Sequence, residues 1–563
     1  MIVQTNTTVG DSISHRFKLT WKRFWSEPGF AVAAIIVAAL LILFILLPLA
    51  AVLLRSFGIG GEGFSFQYYQ QFLQHSSYFQ ALLNSIGVGV VTTAIVISIS
   101  IPFALYVTRT KSTLSKMYRA LSLLPMVAPP FIFSLSLIIL LGRRGVVTEH
   151  INNLFGVEFS IYGFWGVVVA QVLGFFPIAY MMIESSLRSI NPSLEHASRD
   201  LGAGQARTIF KVSLPLASTG ILKASLIVFV MALADFSNPL IIGGETSFLA
   251  SDAYLLVTGQ QNLEMAAVLG VFLIIPSLIV FLYQTYFIKD IETTSIDSSA
   301  GTSNVPLNKK IQGVTFGIST LMALFIAVMF IMVVLGAFVQ IIGVNNTFTL
   351  DHFSDPSGWE FISTSLIVSF FAALLASVLG LLQGYLTVRK NIPAKKFLEF
   401  VALFGLAVPG TVMGIGYVLI FNGPPLFLTG TVLLLVLNMT FRKIGVGLES
   451  GISKLHQIDT SMEEASADLG AKPLHTLRKI VLPLLSPAFM SGFVYTFMTA
   501  MVSVSSVIFL VSPGTNLAAT YILNLANQAA VGRASAMSVI MIAIVLICMA
   551  VLKWIERRNN AGI

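Results

Sequence analysis

The sequence contains very little cysteine and very little charge. Cys548 is the single cysteine among 563 residues, which excludes a disulfide framework and thiolate metal sites. Charged side chains account for only 10% of the chain, whereas ordinary soluble domains have about 25%. With 56% hydrophobic residues, this composition is typical of an integral membrane protein.

Several motifs of enzymes are also absent. The phosphate loop of ATPases requires Gly-x-x-x-x-Gly-Lys, and even the dipeptide Gly-Lys does not occur in this chain. The His-Glu-x-x-His and Gly-x-Ser-x-Gly signatures are missing, and the seven histidines are scattered mainly in loops. We therefore expect no catalytic residue, no resident metal ion and no cofactor bound by this chain.

The net charge of +8 is explained better by orientation in a bilayer than by nucleic acid. Basic residues stand in short clusters at the ends of apolar runs, without a basic domain that aromatic residues interleave. If the N-terminus is cytoplasmic, the outer loops hold few basic residues, namely Arg55, Arg143, Arg144 and Arg533. Lys and Arg accumulate in cytoplasmic loops, so we expect both termini inside.

Long apolar runs predict an all-α polytopic membrane protein. A bilayer core of about 30 Å requires roughly 20 helical residues. About twelve runs meet this length, near residues 30–53, 81–107, 120–141, 162–183, 215–242, 265–288, 314–342, 362–387, 398–421, 427–448, 485–511 and 533–554. The first run is too long for the core of a signal peptide and no small-residue cleavage site follows it, so we expect a retained span.

A polar segment divides the chain. Residues 291–310 are rich in Ser, Thr and Gly and lack apolar periodicity, as flexible connections do. We predict a first half at 1–290, a cytoplasmic linker at 291–312 and a second half at 313–563. The cores of the two halves are expected at 81–288 and 361–554.

The two halves repeat each other. A set of five residues recurs 268 positions later, with Glu195, Ala197, Asp200, Gly202 and Pro215 matched by Glu463, Ala465, Asp468, Gly470 and Pro483. Earlier in each half the offset is 280, as in Tyr106-Val-Thr-Arg109 against Leu386-Thr-Val-Arg389. Each half carries an even number of predicted spans, so the two six-helix repeats should insert in parallel, with the same orientation.

The repeated polar segment predicts a short helical hairpin in each half, at 191–213 and 459–481. Asn191 and Asp459 are suited to cap a helix N-terminus, and Gly202 and Gly470 are suited to end that helix. A second short helix should follow, with Leu-Pro opening the next span at Pro215 and Pro483. Both hairpins would face the cytoplasm.

This pattern, Glu-x-Ala-x-x-x-x-Gly with Leu-Pro downstream, resembles the EAA loop of binding-protein-dependent ABC importer permeases. The resemblance covers most of both halves and implies a fused, two-domain permease. In that family the short helix is a coupling helix that docks in a groove of the cytoplasmic ATPase. By position, the resemblance assigns ATPase coupling to Glu195, Ala197, Asp200, Gly202, Pro215, Glu463, Ala465, Asp468, Gly470 and Pro483.

The resemblance also implies partners and a class of solute. Fused permeases of this kind resemble the subgroup for ferric iron, thiamine and phosphonates; ferric iron is expected here, with phosphonate, sugar phosphate, thiamine or polyamine as alternatives. The implied partners are a cytoplasmic ATPase dimer that binds ATP and Mg²⁺, and a periplasmic or extracellular solute-binding protein, at the bacterial inner membrane. The rival interpretation is an ion-coupled secondary transporter, which needs ionisable residues deep in the bundle.

Few polar residues lie deep in the predicted spans. Asp235 stands late in the fifth span, where a carboxylate is costly unless it faces a cavity or a partner. With Asn238 it would line the outer end of a transport path; alternatively, the span ends earlier and leaves Asp235 at the outer interface. Ser503 and Ser506 are the aligned residues of the second half. Basic residues near inner span ends should extend to the cytoplasmic surface. They are Lys223, Arg442 and Lys443.

Overall fold

Long apolar helices make up most of the fold. The computed structural model describes residues 25–288 and 306–560, except positions 26, 62, 144, 149, 151–155, 157–159 and 391. The first half contains α1 (Pro28–Ser56), α2 (Gln67–Gln74), α3 (Ser76–Arg109), α4 (Thr113–Val127), α5 (Ile132–Leu141), α6 (Phe164–Arg188), α7 (Pro192–Asp200), α8 (Gln205–Leu216), α9 (Ser218–Ala234), α10 (Ser237–Ile242), α11 (Leu249–Thr258) and α12 (Leu263–Tyr286).

The second half follows a similar order with fewer separate helices. It contains α13 (Lys309–Phe338), α14 (Pro356–Arg389), α15 (Lys395–Ala407), α16 (Gly410–Phe421), α17 (Val432–Gln457), α18 (Ser461–Asp468), α19 (Pro473–Met501), α20 (Ala518–Asn527) and α21 (Val531–Asn560). Two small antiparallel hairpins join helices, β1 (Val339–Ile341) with β2 (Asn345–Phe348), and β3 (Asn422–Gly423) with β4 (Leu426–Phe427).

The predicted class, an all-α polytopic membrane protein, is confirmed. Eight of the described helices are long and apolar enough to cross a membrane, and the number rises to eleven if each of three bent helix pairs is one span. The predicted span 427–448 falls on α17, a helix of 26 residues that runs on to Gln457. Its middle carries Arg442 and Lys443, so this helix is less apolar than the others.

Two predicted spans are each broken in the middle. The run 120–141 forms α4 and α5, which meet at 105°, and the run 398–421 forms α15 and α16, which meet at 110°. The residue before each proline, Ala128 or Val408, is extended rather than helical. Proline disfavours helical geometry in the preceding residue and lacks an N–H donor, so the sequence marks both breaks.

Two further spans end earlier than predicted. The run 215–242 gives α9, which stops at Ala234, and the short helix α10 beyond it; the run 485–511 stops as a helix at Met501. In the first case the Asp235 carboxylate accepts the N–H of Ser237 at 3.1 Å. A side-chain acceptor of this kind competes with the helical backbone pattern and starts a new helix.

Each half has a core of three long helices. In the first half α3, α6 and α9 pack against one another, and in the second α14, α17 and α19 do so. Small residues allow close approach of the second set, because a Cβ at Gly380 or Gly447 would meet the backbone of the facing helix at 2.6 or 2.7 Å. The hairpin in each half follows the second helix of this core.

The first helix of each half packs on the other half. α1 lies against α16, where Tyr417 Oη donates a hydrogen bond to the carbonyl oxygen of Phe44 at 2.9 Å. α13 lies against α3, α4 and α5, with a hydrogen bond of 2.7 Å between Tyr118 Oη and Thr320 Oγ1. This exchange holds the two halves together.

The end of the predicted linker contacts the first hairpin. Residues 291–305 lie outside the described residues, and 309–312 already belong to α13. Gln205 Nε2 in α8 donates a hydrogen bond to the carbonyl oxygen of Pro306 at 2.8 Å, and its Oε1 accepts the N–H of Asn308. Asn308 in turn caps α13 by accepting the N–H of Ile311 at 2.9 Å.

Candidate coupling site and transport path

A polar helical hairpin stands at the predicted place in each half. Each consists of a short helix, α7 or α18, a tight turn and the start of the next helix. Asn191 Oδ1 accepts the N–H of Ser193 at 3.0 Å, and Asp459 Oδ1 accepts that of Ser461 at 2.9 Å. These bonds satisfy amides that the helix start leaves free. The donors of Ser461 also lower the pKa of Asp459.

Gly202 and Gly470 terminate the first helix of the two hairpins. Their φ angles are +83° and +79°, in the left-handed region. The N–H of Gly202 bonds to the carbonyl oxygen of Arg199 at 2.8 Å, and that of Gly470 to Ala467 at 2.8 Å. Because glycine alone adopts this geometry without strain, its predicted role as the helix stop is confirmed in both halves.

The second arm of each hairpin differs from the prediction that Leu-Pro opens a span. In the first half α8 continues through Pro215 to Leu216 and then bends by 66° into α9. In the second half α19 runs from Pro473 to Met501 and includes Pro483. A π-helical turn precedes each proline, at Ile209–Ser213 and Leu477–Val481. Wider turns of this kind accommodate a missing N–H inside a helix.

Glu195 points into the protein and is held by α3 and α8. Its Oε1 lies 2.5 Å from Nη2 of Arg109, the last residue of α3, and both side chains are almost fully buried, with 5% and 6% exposed. The same oxygen accepts the hydroxyl of Ser213 at 2.8 Å. The glutamate of α7 therefore joins three helices, and it does not lie on the outer face of the hairpin.

The second half repeats this ion pair in a more open form. Oε1 of Glu463 lies 2.8 Å from Nε of Arg389, the last residue of α14, with 18% and 12% of the two side chains exposed. Nη2 of Arg389 also donates to the carbonyl oxygens of Leu455 and Ile458, at 3.0 and 2.7 Å. The repeated arginines at 109 and 389 were visible in the sequence, but their partners lie far away along the chain.

A pair of hydroxyl groups locks the two arms of each hairpin together. Ser198 and Thr208 are 3.1 Å apart between their hydroxyl oxygens in the first hairpin. Ser466 and Thr476, which stand 268 positions later, are 2.8 Å apart in the second. The hydrogen bond joins the two arms in each hairpin, so each hairpin is held together as one unit.

The outer face of each hairpin presents a highly exposed leucine. Leu201 and Leu469 directly precede the helix-ending glycines and are each 89% exposed. The predicted coupling residues other than the two glutamates are exposed as well, namely Ala197, Asp200, Gly202, Pro215, Ala465, Asp468, Gly470 and Pro483. Sequence reasoning missed the two leucines, although their position before glycine repeats in both halves. Single exposed apolar residues are common on protein surfaces, so the repetition of this leucine at matched positions, and not its exposure alone, makes it a candidate contact residue.

The residues predicted to line the path in the first half form one hydrogen-bonded cluster at the break between α9 and α10. Asp235 Oδ2 accepts from Asn238 Nδ2 at 2.7 Å and from Gln171 Nε2 at 3.1 Å. Asn238 Oδ1 accepts the hydroxyl of Ser134 at 2.7 Å. Asp235 is partly exposed, while Asn238, which binds it, is buried.

The second-half residues are arranged differently. Ser503 is partly exposed and its N–H bonds to the carbonyl oxygen of Ala500 at 3.1 Å. Ser506 is buried, donates to Asn438 Oδ1 at 2.6 Å and accepts from Arg442 Nη1 at 3.0 Å. The expectation that Arg442 and Lys443 extend to the cytoplasmic surface is wrong, because α17 continues to Gln457 and places both in its middle.

Comparison with known proteins identifies the family. Residues 99–293 and 376–560 match the family described as binding-protein-dependent transport system inner membrane component. The chain belongs to this family. It carries two fused copies of the domain, as the resemblance of the repeated hairpins implies.

Two similar relatives span most of the chain. The ferric transport system permease protein FbpB of Actinobacillus pleuropneumoniae is 34% identical over 544 residues, which are 93% of this chain and 78% of the relative. The putative ferric transport system permease protein FbpB 1 of Haemophilus influenzae is 35% identical over 508 residues, 87% of this chain and 80% of the relative. A solved bacterial ABC transporter for import of the polysaccharide alginate has a TM-score of 0.42 at 18% identity, covering 49% of this chain and 99% of that chain.

The family match and the two ferric transport relatives establish the general role of the chain. It is the multi-pass inner-membrane permease component of a binding-protein-dependent ABC importer, so it is a transport subunit and not an enzyme. Membership of this family implies an ATPase and a solute-binding protein as partners.

Proposed function

We propose that this permease imports ferric iron. Support comes from the two ferric transport permeases that cover 93% and 87% of the chain at 34% and 35% identity. In this proposal a binding protein delivers the solute to the outer side and an ATPase dimer, which binds ATP and Mg²⁺, docks on the cytoplasmic side. The excess of Lys and Arg in the predicted inner loops supports cytoplasmic location of both termini.

The hairpins are proposed to couple ATP hydrolysis to transport. The ATPase would contact the outer face around Leu201 and Leu469, where large apolar side chains are exposed. A displacement of α7 would reach α3 through Arg109 and α8 through Ser213, because both side chains bind the carboxylate of Glu195. Since α3 is a core helix of 34 residues, movement at the hairpin would be passed along the length of the transport path.

Transport of iron can be measured directly. The permease, its ATPase and its binding protein are reconstituted in proteoliposomes, with the binding protein and radiolabelled Fe³⁺ outside and ATP enclosed. We expect uptake that requires ATP and binding protein. Labelled phosphonate and thiamine are the control solutes. Uptake of a control solute with no uptake of iron would contradict the assignment of iron while leaving the importer role intact.

Replacing Gly202 and Gly470 with valine is expected to uncouple hydrolysis from transport. A β-branched residue at φ near +80° costs about 2 kcal/mol, which would displace Leu201 or Leu469 from the tip of the hairpin. ATPase activity and uptake are measured in the same proteoliposomes. The matched control is Gly204→Val, because Gly204 has φ −64° and a Cβ there would meet no atom within 4 Å. Normal transport by both variants would refute coupling through these hairpins.

A further inference from the structure

Two positive charges stand together in the middle of α17. Arg442 is followed by Lys443, and neither forms an ion pair with a carboxylate in the part of the chain that the structure describes. Unpaired charge within a membrane helix is costly, and such residues usually face a water-filled cavity or a ligand. Both side chains are partly exposed.

The groups around Arg442 offer donors that have no acceptor. The hydroxyl of Ser506 accepts a hydrogen bond from Arg442 Nη1 and donates one to Asn438 Oδ1. The side-chain oxygen of Asn438 is therefore already hydrogen-bonded. Asn438 Nδ2 and Arg442 Nε are both buried and have no hydrogen-bond partner. Residues four apart lie on one face of a helix. Buried donors without partners are costly, and here Asn438, which is 0% exposed, supplies one beside the guanidinium.

The N-terminus of a helix lies beside the same guanidinium. α16 has 12 residues and begins at Gly410, after the sharp bend at Pro409. A Cβ at Gly410 would clash with Ser505 Oγ and lie 3.0 Å from Arg442 Nη2, so the hydroxyl of Ser505 and the guanidinium both pack against the first turn of this helix. The first N–H groups of a helix lack intrahelical acceptors, and the helix dipole makes this end favourable for anions. The hydroxyl of the next residue, Thr411, is also buried without a partner.

We infer that Arg442, Asn438 and the N-terminus of α16 form a site for a small oxyanion in the second half of the transport path. The site supplies a guanidinium, an amide N–H₂ and helix N–H groups, which are the donors that phosphate-like and carboxylate oxygens accept. The corresponding place in the first half is acidic, because Asn238, the residue aligned with Ser506, binds Asp235. The two halves therefore present opposite charges to a passing solute.

This charge pattern narrows the class of cargo. A bare trivalent cation would be attracted by Asp235 and repelled by Arg442 and Lys443. A metal ion that carries an oxyanion ligand can interact favourably with both sites, through the metal at Asp235 and through the oxyanion at Arg442. The cargo would therefore cross the second half with oxyanion groups attached. This statement about cargo rests on the proposed import of ferric iron; the oxyanion site itself does not.

Binding of inorganic phosphate to the full-length permease tests the site. The protein is purified in a maltoside detergent, which contains no phosphate, and equilibrium dialysis measures binding of radiolabelled orthophosphate. We expect saturable binding that is weakened about tenfold or more by Arg442→Gln and less by Arg442→Lys. Asn438→Asp should abolish phosphate binding, because the new carboxylate would pair with the guanidinium of Arg442 in place of phosphate. Lys396→Gln, which removes an exposed positive charge at the start of α15, is the control and should bind normally.

Three results would overturn the inference. Equal phosphate binding by wild type and Arg442→Gln would show that the donors named here do not hold the anion. A phospholipid that co-purifies with wild type and is absent from Arg442→Gln in native mass spectrometry would assign the site to a lipid headgroup instead of cargo. Restored transport in the double variant Arg442→Glu with Asp235→Lys would make Asp235 the partner of Arg442.

The same variants separate this inference from the proposed solute. If Arg442→Gln loses phosphate binding but imports iron at the wild-type rate, the cargo statement fails while iron import stands. If wild type binds phosphate through Arg442 but imports no iron, the assignment of iron fails while the oxyanion site stands. Loss of both activities, with unchanged thermal stability, is the result we expect.

Discussion

Replacing Glu195 with alanine is expected to abolish ATP-driven uptake and to destabilise the first half. The substitution leaves the guanidinium of Arg109 buried without its carboxylate, and it leaves the hydroxyl of Ser213 without its acceptor. Breaking a buried ion pair from one side costs about 3–5 kcal/mol. The free energy of unfolding, followed by thermal denaturation in detergent, and uptake in proteoliposomes are the two measurements.

The second half provides an internal comparison for this effect. Glu463→Ala should cost about 1 kcal/mol, close to a partly exposed pair, because Arg389 keeps two carbonyl acceptors, Leu455 and Ile458. The double variant Arg109→Gln with Glu195→Gln removes both charges and should recover much of the lost stability. Equal losses of stability from Glu195→Ala and Glu463→Ala, or no recovery of stability in the double variant, would contradict this role of the buried Arg109–Glu195 ion pair.

Replacing Leu201 and Leu469 together with aspartate is expected to detach the ATPase. Both side chains are 89% exposed, so a charge there costs the folded permease almost nothing. At an apolar contact with a partner, however, two desolvated carboxylates without partners are strongly unfavourable. We expect the ATPase to be lost on purification and uptake to stop, while the melting temperature of the permease remains unchanged.

The control for this double variant lies on the opposite predicted side of the membrane. Leu350, in the loop after β2, is 57% exposed, and Leu350→Asp should retain the ATPase. A Leu201→Asp, Leu469→Asp protein that still purifies with its ATPase in full amount would show that docking uses other residues. A reduced melting temperature would instead indicate that these leucines pack within the permease.

The sequence predicts this architecture well where the signal is local. Apolar runs place most helices, and glycine with positive φ and capping side chains place the hairpins at 191–213 and 459–481. The breaks at Ala128 and Val408 are caused by the proline that directly follows each of these residues. A count of apolar residues does not detect these breaks, whereas the position of each proline does.

The parts that the sequence does not reveal depend on contacts between distant residues. Arg109 and Glu195 are 86 positions apart, and only the tertiary fold brings the end of α3 to α7. Arg442 resembles an interfacial residue because it stands near the end of the apolar run 427–448. Its true position follows from α17 continuing to Gln457. The packing of α1 and α13 on opposite halves likewise has no signature in composition or periodicity.

The measurement that tests the central claim most directly is cross-linking from the tips of the hairpins in native membranes. Cys548 is the single cysteine, so a Cys548→Ser background allows one new cysteine at a time. Leu201→Cys and Leu469→Cys are each treated with a short bifunctional reagent, with Phe348→Cys, at a side chain that is 72% exposed, as the outer-side control. We predict that both hairpin cysteines capture a protein with an ATPase phosphate loop and that Phe348→Cys does not. Failure of both hairpin cysteines to capture an ATPase would contradict the proposed coupling.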